Sequence, residues 1–262
     1  MKLTNKTSLF QKISWPLIII VSIGLIIRIK GIIEGSFAFT YDVGRDMLAV
    51  RDIVVNHHIP FIGPTTGLAG VLYGPWWYYI LTPSFMIGMG DPKAVASFIA
   101  LLGILTIIGG YWIGRKLHNS LIAITLAGLL SFSPVMLGLS TQIWNPNIAP
   151  IITLIIYILF VTIFSDLRKQ KKQKWHYFFL LGVFMLLSFE AEIVYGTLLT
   201  VGVILGCLIF LRQAFSRRNI LSFFAGAFII CSPRLLFEIK HHFLMSRELF
   251  ASFNGKLTSR RI

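Results

Sequence analysis

Apolar residues dominate this chain in long runs that short polar clusters interrupt. A helix needs about twenty mostly apolar residues to cross the hydrocarbon layer of a membrane. Seven runs approach that length: 13–33, 94–113, 120–138, 149–165, 176–193, 194–211 and 219–237. The pattern therefore predicts an all-α polytopic membrane protein with about seven transmembrane helices.

An eighth apolar run, "GPWWYYILTPSFMIGMG" from Gly74 to Gly90, is harder to interpret. Pro83 lies near its middle, aromatic residues crowd one end and glycines occupy the other. That composition suits an interfacial or re-entrant helix at least as well as a span. Lysine and arginine concentrate on the cytoplasmic side of membrane proteins, and the basic clusters all fall on one side when this run does not cross. We therefore predict seven spans, with the amino terminus in the cytoplasm.

A charged segment, "FTYDVGRDMLAVRDIV" from Phe39 to Val54, interrupts the apolar pattern. Its apolar residues recur at steps of four, three and four, and so lie on one stripe of a helix. The stripe consists of Val43, Met47, Val50 and Val54, and the residues opposite are Asp42, Arg45 and Asp52. The spacing predicts an amphipathic helix in the membrane interface, within a first external loop over 34–75.

Composition and charge limit the classes of function. The 262 residues are 56% hydrophobic and 13% charged, which is typical of a membrane protein. The formal net charge is +14, but the basic residues lie in short clusters between apolar runs, where a topology signal would place them. We therefore expect no nucleic-acid partner. Cys207 and Cys231 lie inside apolar runs without metal-binding spacing, so we interpret them as core residues.

Acidic residues are distributed differently from basic ones. The predicted topology places eight of the ten on or near the outer face, and only Asp166 clearly on the cytoplasmic side. Because acids contribute little to topology, this segregation indicates that the outer face holds the chemistry. Arg28 and Lys30 end the first span on the outer side, against the usual preference. A phosphate held at the outer bilayer surface would give these cations a role.

Five segments of the chain carry a family resemblance. They are "YDVGRDMLAVRDIV", "PFIGPTTGLAGVLYGPWWYYILTP", "GDPKAVASFIALLGILTIIGGYWIGRKL", "LSFSPVMLGLSTQIWNPNIAP" and "SPRLLFEIKHHF". In this order they resemble the GT-C superfamily of membrane glycosyltransferases, over about residues 28–243. The likeness is greatest to the bacterial and archaeal branch related to dolichyl-phosphate-mannose protein mannosyltransferases and the lipid A aminoarabinose transferase. Such enzymes continue with further spans, so we expect 1–262 to form a single domain that lacks the family's carboxy-terminal half.

The resemblance implies an inverting sugar transfer on the outer face of a prokaryotic plasma membrane. The donor is a polyprenyl-phosphate sugar, and the acceptor is a hydroxyl of a protein, lipid or glycan. The family's general base or acceptor-orienting aspartate matches Asp42, since a carboxylate within hydrogen-bond reach can take the acceptor's proton. The leaving phosphate calls for cations or a divalent metal. The candidate cations are Arg28 and Arg45, which rank first by position, with Arg51 and Lys240; no residue is assigned to a metal.

Further external residues are candidates for contacts with the sugar or the acceptor. They are Asp46, Trp144, Asn145, Asn147, Glu190 and Glu192. The segment "QIWNPN" either lines the sugar site or forms a helix-capping turn before Pro150. The two glutamates lie where a span meets the outer surface. Acids at membrane depth are costly enough to indicate function, with an exposed loop as the alternative.

A non-enzymatic interpretation uses the same basic outer rim. It is a polyprenyl-lipid binding or flipping protein, or another polytopic transporter, and it would not need Asp42. A transporter is expected to carry charged residues inside its spans. The predicted spans are nearly free of them, apart from Arg28 near one end and Arg234 beside Pro233.

Overall fold

The computed structural model of the chain describes residues 14–68 and 70–253, and these form a helical bundle. The helices are α1 Trp15–Ile33, α2 Tyr41–Asn56, α3 Trp76–Ile87, α4 Pro92–Leu117, α5 Ser120–Phe132, α6 Pro134–Leu139, α7 Ala149–Arg168, α8 Trp175–Ala191, α9 Ile193–Phe210, α10 Arg217–Lys240 and α11 Leu244–Phe253. Short 3-10 turns cover Asn145–Ile148 and Arg212–Ala214. The described residues contain no strand beyond an isolated bridge between Thr65 and Leu72. The predicted all-α fold is confirmed.

Seven apolar helices correspond to the seven predicted spans. By length and composition, α1, α4, α7 with its preceding turn, α9 and α10 can each cross a membrane. The other two, α5 and α8, are shorter, with 13 and 17 residues. The predicted span 120–138 divides at Pro134, because proline lacks the N–H of a helix interior and restricts the residue before it.

The eighth apolar run forms α3, which is too short to span. Its 12 residues reach about 18 Å, whereas the hydrocarbon layer is about 30 Å thick. Pro83 lies inside the helix. The side chains of Trp77 and Leu81 are fully buried against the rest of the bundle. This helix therefore packs into the bundle, and the count of seven spans stays a prediction.

The bundle has two chemically different ends. At one end, which we call the loop end, α1 finishes beside the start of α4, and Lys93 Nζ donates to the carbonyl of Ile33 at 3.0 Å. The loop end also holds α2, α3 and the segment 57–75, which we call the connecting loop. Basic residues gather at the opposite end, where Arg218 lies over the ring of Trp175 at 5.9 Å. Most acidic residues thus share one end and the basic clusters share the other.

The main hydrophobic core positions α2 against α3, α4, α7 and α8. Val43, Met47 and Val50 of α2 are buried in it, as their spacing predicts. Thr40 starts the helix, since its hydroxyl accepts from the Val43 N–H at 3.4 Å. The predicted helix is therefore confirmed over Tyr41–Asn56. Its place in a membrane interface stays a prediction.

Candidate functional site

The charged residues of α2 form a network centred on Arg45. Nε and Nη2 of Arg45 donate to Oδ1 of Asp46 at 2.9 and 2.8 Å. Nη1 donates to Oδ1 of Asp42 at 2.8 Å and to the hydroxyl of Thr65 at 3.2 Å. One guanidinium therefore joins two carboxylates of the same helix and ties the connecting loop to α2. We call Asp42, Arg45 and Asp46 the α2 network.

Asp46 is the buried anchor of the α2 network. Its exposure is 0%, and its Oδ2 accepts from Nε1 of the buried Trp77 at 2.7 Å. Burial raises the pKa of Asp46, although the hydrogen bonds from Trp77 and Arg45 oppose the rise. Both carboxylate oxygens are bonded to protein donors, so Asp46 docks α2 on α3 and positions Arg45. Its predicted contact with the sugar or acceptor stays a prediction, and this burial argues against it.

Asp42 is the open end of the α2 network. Its side chain is 46% exposed, and the oxygen not bonded to Arg45 accepts no hydrogen bond from the described residues. It lies in the first turn of α2, where free backbone N–H groups favour a carboxylate. Asp42 is thus held in place on one side and accessible on the other. A general base requires both conditions.

Arg45 remains a cation in this setting. Burial lowers the pKa of Arg45, but the hydrogen bond and charge of Asp46, with the charge of Asp42, outweigh that effect and raise it overall. The side chain is 21% exposed, so part of the guanidinium faces outward. An anion that approaches beside Asp42 would meet a positive charge that the protein already holds in position.

An apolar groove of about 790 Å³ lies between α2 and the end of α3, and no residue of the α2 network lines it. Met47 and Val54 of α2 face Phe85 and Met86 of α3 across it. Arg51 is the one charged residue that lines the groove within the described part of the chain. It follows Arg45 by six residues, about 9 Å along the helix axis. Because six residues also turn a helix by about 240°, Arg51 and Arg45 lie on different faces of α2, and the groove combines apolar walls with a cation of its own.

The two predicted glutamates flank the break between α8 and α9. Glu192 accepts from the Tyr73 hydroxyl at 3.2 Å, and burial together with the charge of Glu192 raises the pKa of Tyr73 to about 12. Glu190 is 6% exposed, so it does not lie in an exposed loop. Its carboxylate lies against the backbone of Gly74, where an added Cβ would come within 2.8 Å of Oε2. Both glutamates therefore contact the end of the connecting loop.

Arg28 lies apart from the α2 network, buried between α1, α5 and α6. Its Nε donates to the Ser140 hydroxyl at 2.7 Å, and its Nη1 donates to the carbonyls of Gly24 and Ser131 at 2.9 and 3.2 Å. Its exposure is 0%, and no carboxylate among the described residues pairs with it. Arg28 therefore fastens α1 to the end of α5, whose last carbonyls lack helical partners. Its predicted phosphate contact stays a prediction that this burial disfavours.

The remaining predicted residues divide by exposure. Asn145 and Asn147 are 4% and 6% exposed, and their amides donate to the carbonyls of Ala191 and Gln142, each at 2.7 Å. The Asn147 bond closes the turn before α7 and the Asn145 bond ties this turn to the end of α8, which favours a structural role for both asparagines. Trp144 is 47% exposed and available for stacking. Lys240 ends α10 as an exposed side chain and makes no hydrogen bond or ion pair within the described ranges.

The structure adds two residues to the α2 network that sequence patterns do not identify. Trp77 belongs to an aromatic run whose composition indicates an interface. A buried indole N–H needs an acceptor, so the sequence could have indicated that Trp77 bonds an acceptor such as Asp46. Thr65 offers no such signal, because its partner Arg45 lies 20 residues away along the chain. Contacts of this kind become visible only once the connecting loop is folded.

A ligand set for a metal is not apparent at the loop end. Within 14–68 and 70–253, no three or more His, Cys, Asp and Glu side chains group so as to hold a metal ion. Asp42 and Asp46 share Arg45 as their partner. The residues described here thus give a divalent metal no assigned position.

Comparison with protein families gives a match over most of the helical bundle. The model of the dolichyl-phosphate-mannose-protein mannosyltransferase family matches residues 73–237. The matched segment begins at the end of the connecting loop and runs from α3 into α10, so α2 precedes it. Characterised proteins and solved structures give no match to this chain.

Proposed function

Because residues 73–237 are more than half of the chain, it belongs to the dolichyl-phosphate-mannose-protein mannosyltransferase family, and from this premise we propose its reaction. It transfers a sugar from a polyprenyl-phosphate donor to a hydroxyl of a protein, lipid or glycan acceptor. The transfer takes place at the outer face of a prokaryotic plasma membrane and inverts the anomeric carbon. The observation that supports this reaction most is the half-exposed Asp42 carboxylate, held by Arg45.

Asp42 acts as the general base. Its free oxygen takes the proton of the acceptor hydroxyl while the hydroxyl oxygen attacks the anomeric carbon. The bond between that carbon and the phosphate oxygen breaks, and the electron pair leaves with the polyprenyl phosphate. Because the acceptor attacks from the face opposite to the leaving group, the configuration inverts. Asp42 then returns its proton to solvent, since its side chain is 46% exposed.

Arg45 stabilises the leaving phosphate, and Arg51, at the groove, is a second candidate cation. Preorganised cations lower the energy of a transition state in which negative charge develops, and Arg45 is held by Asp46 before any substrate arrives. The apolar groove between α2 and α3 receives the polyprenyl chain, with Arg51 at its wall. Arg28, which is buried, and Lys240, at the end of α10, are weaker candidates for this role.

Contacts with the sugar or acceptor come from the other side of the loop end. Trp144 presents an exposed ring on which a sugar can stack. Glu192, half-buried beside Tyr73, presents a carboxylate that can accept from a sugar hydroxyl. Both residues lie on loops that join spans. An acceptor outside the membrane can reach such loops.

The Asp42→Asn variant tests this reaction. We expect transfer from a polyprenyl-phosphate sugar to fall about 10²–10⁴-fold, because the base is lost while the amide keeps the size of the side chain. Donor binding should be retained, since Arg45 and Arg51 remain. Radiolabelled-sugar transfer and donor-binding assays in proteoliposomes measure the two effects.

The matched control for that test is Asp52→Asn. Asp52 lies on the same helix but bonds Asn56 and His58, each at 2.7 Å, away from Arg45. We expect this variant to keep its transfer rate. Full activity in the Asp42→Asn variant would remove the base assignment. Donor binding or flipping without transfer in the unmodified chain would favour the non-enzymatic lipid-handling protein.

A further inference from the structure

The end of the bundle opposite to the loop end, which we call the basic end, carries a dense set of exposed cations. Some lie from the end of α7 to the start of α8, and others lie from the end of α9 into the first turn of α10. They are Arg168, Lys169, Lys171, Lys172, Lys174, Arg212, Arg217 and Arg218. The ion pairs formed within 14–68 and 70–253 include none of them. These cations are therefore available to an anion outside the protein.

The helices α8 and α10 start side by side at the basic end. Arg218, the second residue of α10, lies over the ring of Trp175, the first residue of α8, at 5.9 Å. The far ends of the two helices also meet, since Glu190 and Arg234 line one cavity. The two helices therefore run in the same direction, and the positive ends of both helix dipoles lie together.

Cations occupy the starts of both helices, where a helix favours anions. Lys174 is the N-cap residue of α8, and its side chain forms no capping hydrogen bond. Arg217 and Arg218 begin α10, and neither helix has an acidic residue in its first turn. An anion at this position would be attracted by the side chains and by the helix ends together. We call residues 173–175 and 215–218 the α8/α10 corner.

Gln173 gives the α8/α10 corner an unsatisfied amide. Its Oε1 and Nε2 are both buried, and neither atom has a hydrogen-bond partner among the described residues. Buried amide atoms without partners are unfavourable. A phosphate oxygen can accept from Nε2, and a hydroxyl can donate to Oε1. This amide therefore indicates an oxygen-rich ligand independently of the cations.

Exposed aromatic rings lie among these cations. Trp175 and Phe215 are large exposed rings of the α8/α10 corner, and Phe210 is exposed at the end of α9. Lys174 lies over the ring of Tyr177 at 5.7 Å. A nucleic acid or an acidic protein would use the charge of this surface but would leave its apolar part in water. A phospholipid brings a phosphate and hydrocarbon side by side, and so matches both.

We propose that the α8/α10 corner binds an anionic phospholipid, with its phosphate held by Lys174, Arg217 and Arg218. The rings of Trp175 and Phe215 pack against the upper part of its acyl chains. Residues 173–175 and 215–218 contain no acid that could pair with the ammonium group of a zwitterionic lipid, so a headgroup with a net negative charge is favoured. This binding goes beyond the proposed transfer, because it requires neither the sugar donor nor Asp42.

Native mass spectrometry of the full chain in detergent tests the proposal. The probes are phosphatidylglycerol and phosphatidylcholine with the same acyl chains. We expect phosphatidylglycerol to bind at least about tenfold more tightly. Arg217→Gln and Arg218→Gln should each weaken that binding about fivefold, because each removes one cation from the headgroup. Arg115→Gln is the matched control and should bind normally, since Arg115 donates to the Ser120 hydroxyl at the turn between α4 and α5.

Three further variants separate a site from the general charge of the basic end. Gln170→Lys combined with Arg218→Gln keeps the net charge, and we expect it to bind as weakly as Arg218→Gln alone. Trp175→Leu and Gln173→Leu keep every cation but remove a ring or the unsatisfied amide, so each should also weaken binding. The melting temperature of Arg218→Gln in phosphatidylcholine nanodiscs should stay near that of the unmodified chain, because the changed side chain is exposed.

Several outcomes would overturn the proposal. Equal binding of the two lipids would show that the α8/α10 corner does not select a negative headgroup. An Arg115→Gln variant that binds as weakly as Arg218→Gln would show that the lipid responds only to total charge. Normal binding by both Trp175→Leu and Gln173→Leu would lead to the same conclusion. Full competition by soluble glycerol phosphate would assign the corner to a soluble anion in place of a lipid.

Discussion

Arg28 and Arg45 both lie near predicted interfaces, and their positions along the chain predict the same role, the binding of a lipid phosphate. Their surroundings differ. Arg28 is fully buried and donates to neutral oxygens, those of Ser140, Gly24 and Ser131. Arg45 is 21% exposed and donates to the carboxylates of Asp42 and Asp46.

The difference shows what makes a cation available for a ligand. Neutral partners consume the donors of Arg28 on every side, so its charge joins helices and meets no solvent. Carboxylate partners hold Arg45 from one side and leave the other open. The same residue type therefore fastens the fold at one place and prepares a binding surface at the other.

The Arg45→Gln variant should give the largest effect. We expect sugar transfer to fall about 10²–10³-fold, because a preorganised charge at the leaving phosphate is lost. The variant should also melt at a lower temperature, since Asp46 stays buried without its cation. Adding Asp46→Asn should restore the melting temperature but not the transfer rate. Recovery of transfer in the double variant would show that Arg45 acts only on the fold.

Arg28→Met should affect stability and leave the chemistry alone. We expect the free energy of unfolding to fall by about 3 kcal/mol, because the Ser140 hydroxyl and the carbonyls at the end of α5 lose a charged donor. Lys30→Met is the control, since the Lys30 side chain is 72% exposed. Thermal melting and transfer per folded molecule measure the two quantities. An Arg28→Met variant that melts normally but loses transfer would contradict this assignment, because Arg28 would then serve the chemistry and not the fold.

Two neighbouring tryptophans repeat the contrast on a smaller scale. Trp77 donates to the Asp46 carboxylate and Trp76 donates to the carbonyl of Ile230, both at 2.7 Å. Because hydrogen bonds to charged groups are stronger, we expect Trp77→Phe to cost about 2 kcal/mol and Trp76→Phe about 1 kcal/mol. Thermal melting of both variants gives the comparison. Equal losses would mean that the charge of Asp46 adds nothing to the docking of α2.

The smallest effect is a dependence of stability on pH that only the Arg45 side should show. The pKa of Asp46 is raised by burial, so the folded state holds this proton more tightly than the unfolded chain. Its contribution to stability is present below the ordinary pKa of about 3.9 and is lost as pH rises through the folded pKa. In the Asp46→Asn variant, the melting temperature should change less between pH 4 and pH 8 than it does in the unmodified chain.

Arg28 provides the reference for that series, because its bonded oxygens do not titrate. The loss of stability in Arg28→Met should therefore be the same at each pH. The melting temperatures of Arg28→Met and the unmodified chain should differ by the same amount at each pH. A difference that changes with pH would contradict the assignment of neutral partners to Arg28.

Periodicity was sufficient to predict the helices but not their long-range partners. The spacing of Val43, Met47 and Val50 predicts both α2 and its buried face, because the helical period is local. The same period places Asp46 beside that face, three residues after Val43, and its burial follows from this position. What the period cannot supply is the identity of its partner Trp77, which lies 31 residues away.

The candidate site was predictable to a similar extent. The family resemblance indicates Asp42, and the fold places Arg45 beside it. Arg28, by contrast, pairs with residues 103 and 112 positions further along the chain, which no local pattern can reveal. Glu190 and Arg234 likewise line one cavity only because α8 packs against α10.

The bonds of Arg28 also constrain how the chain is made. Ser131 and Ser140 follow Arg28 by 103 and 112 residues, so a ribosome that adds about 5–20 residues per second reaches them roughly 5–20 seconds later. During that interval α1 has emerged while α5 and α6 do not yet exist. A bare guanidinium in hydrocarbon is costly, so we expect the nascent first helix to hold Arg28 extended toward the water-rich interface. We expect α5 and α6 to draw this side chain inward on arrival, so that the first helix takes its final place only when the middle of the protein has been synthesised.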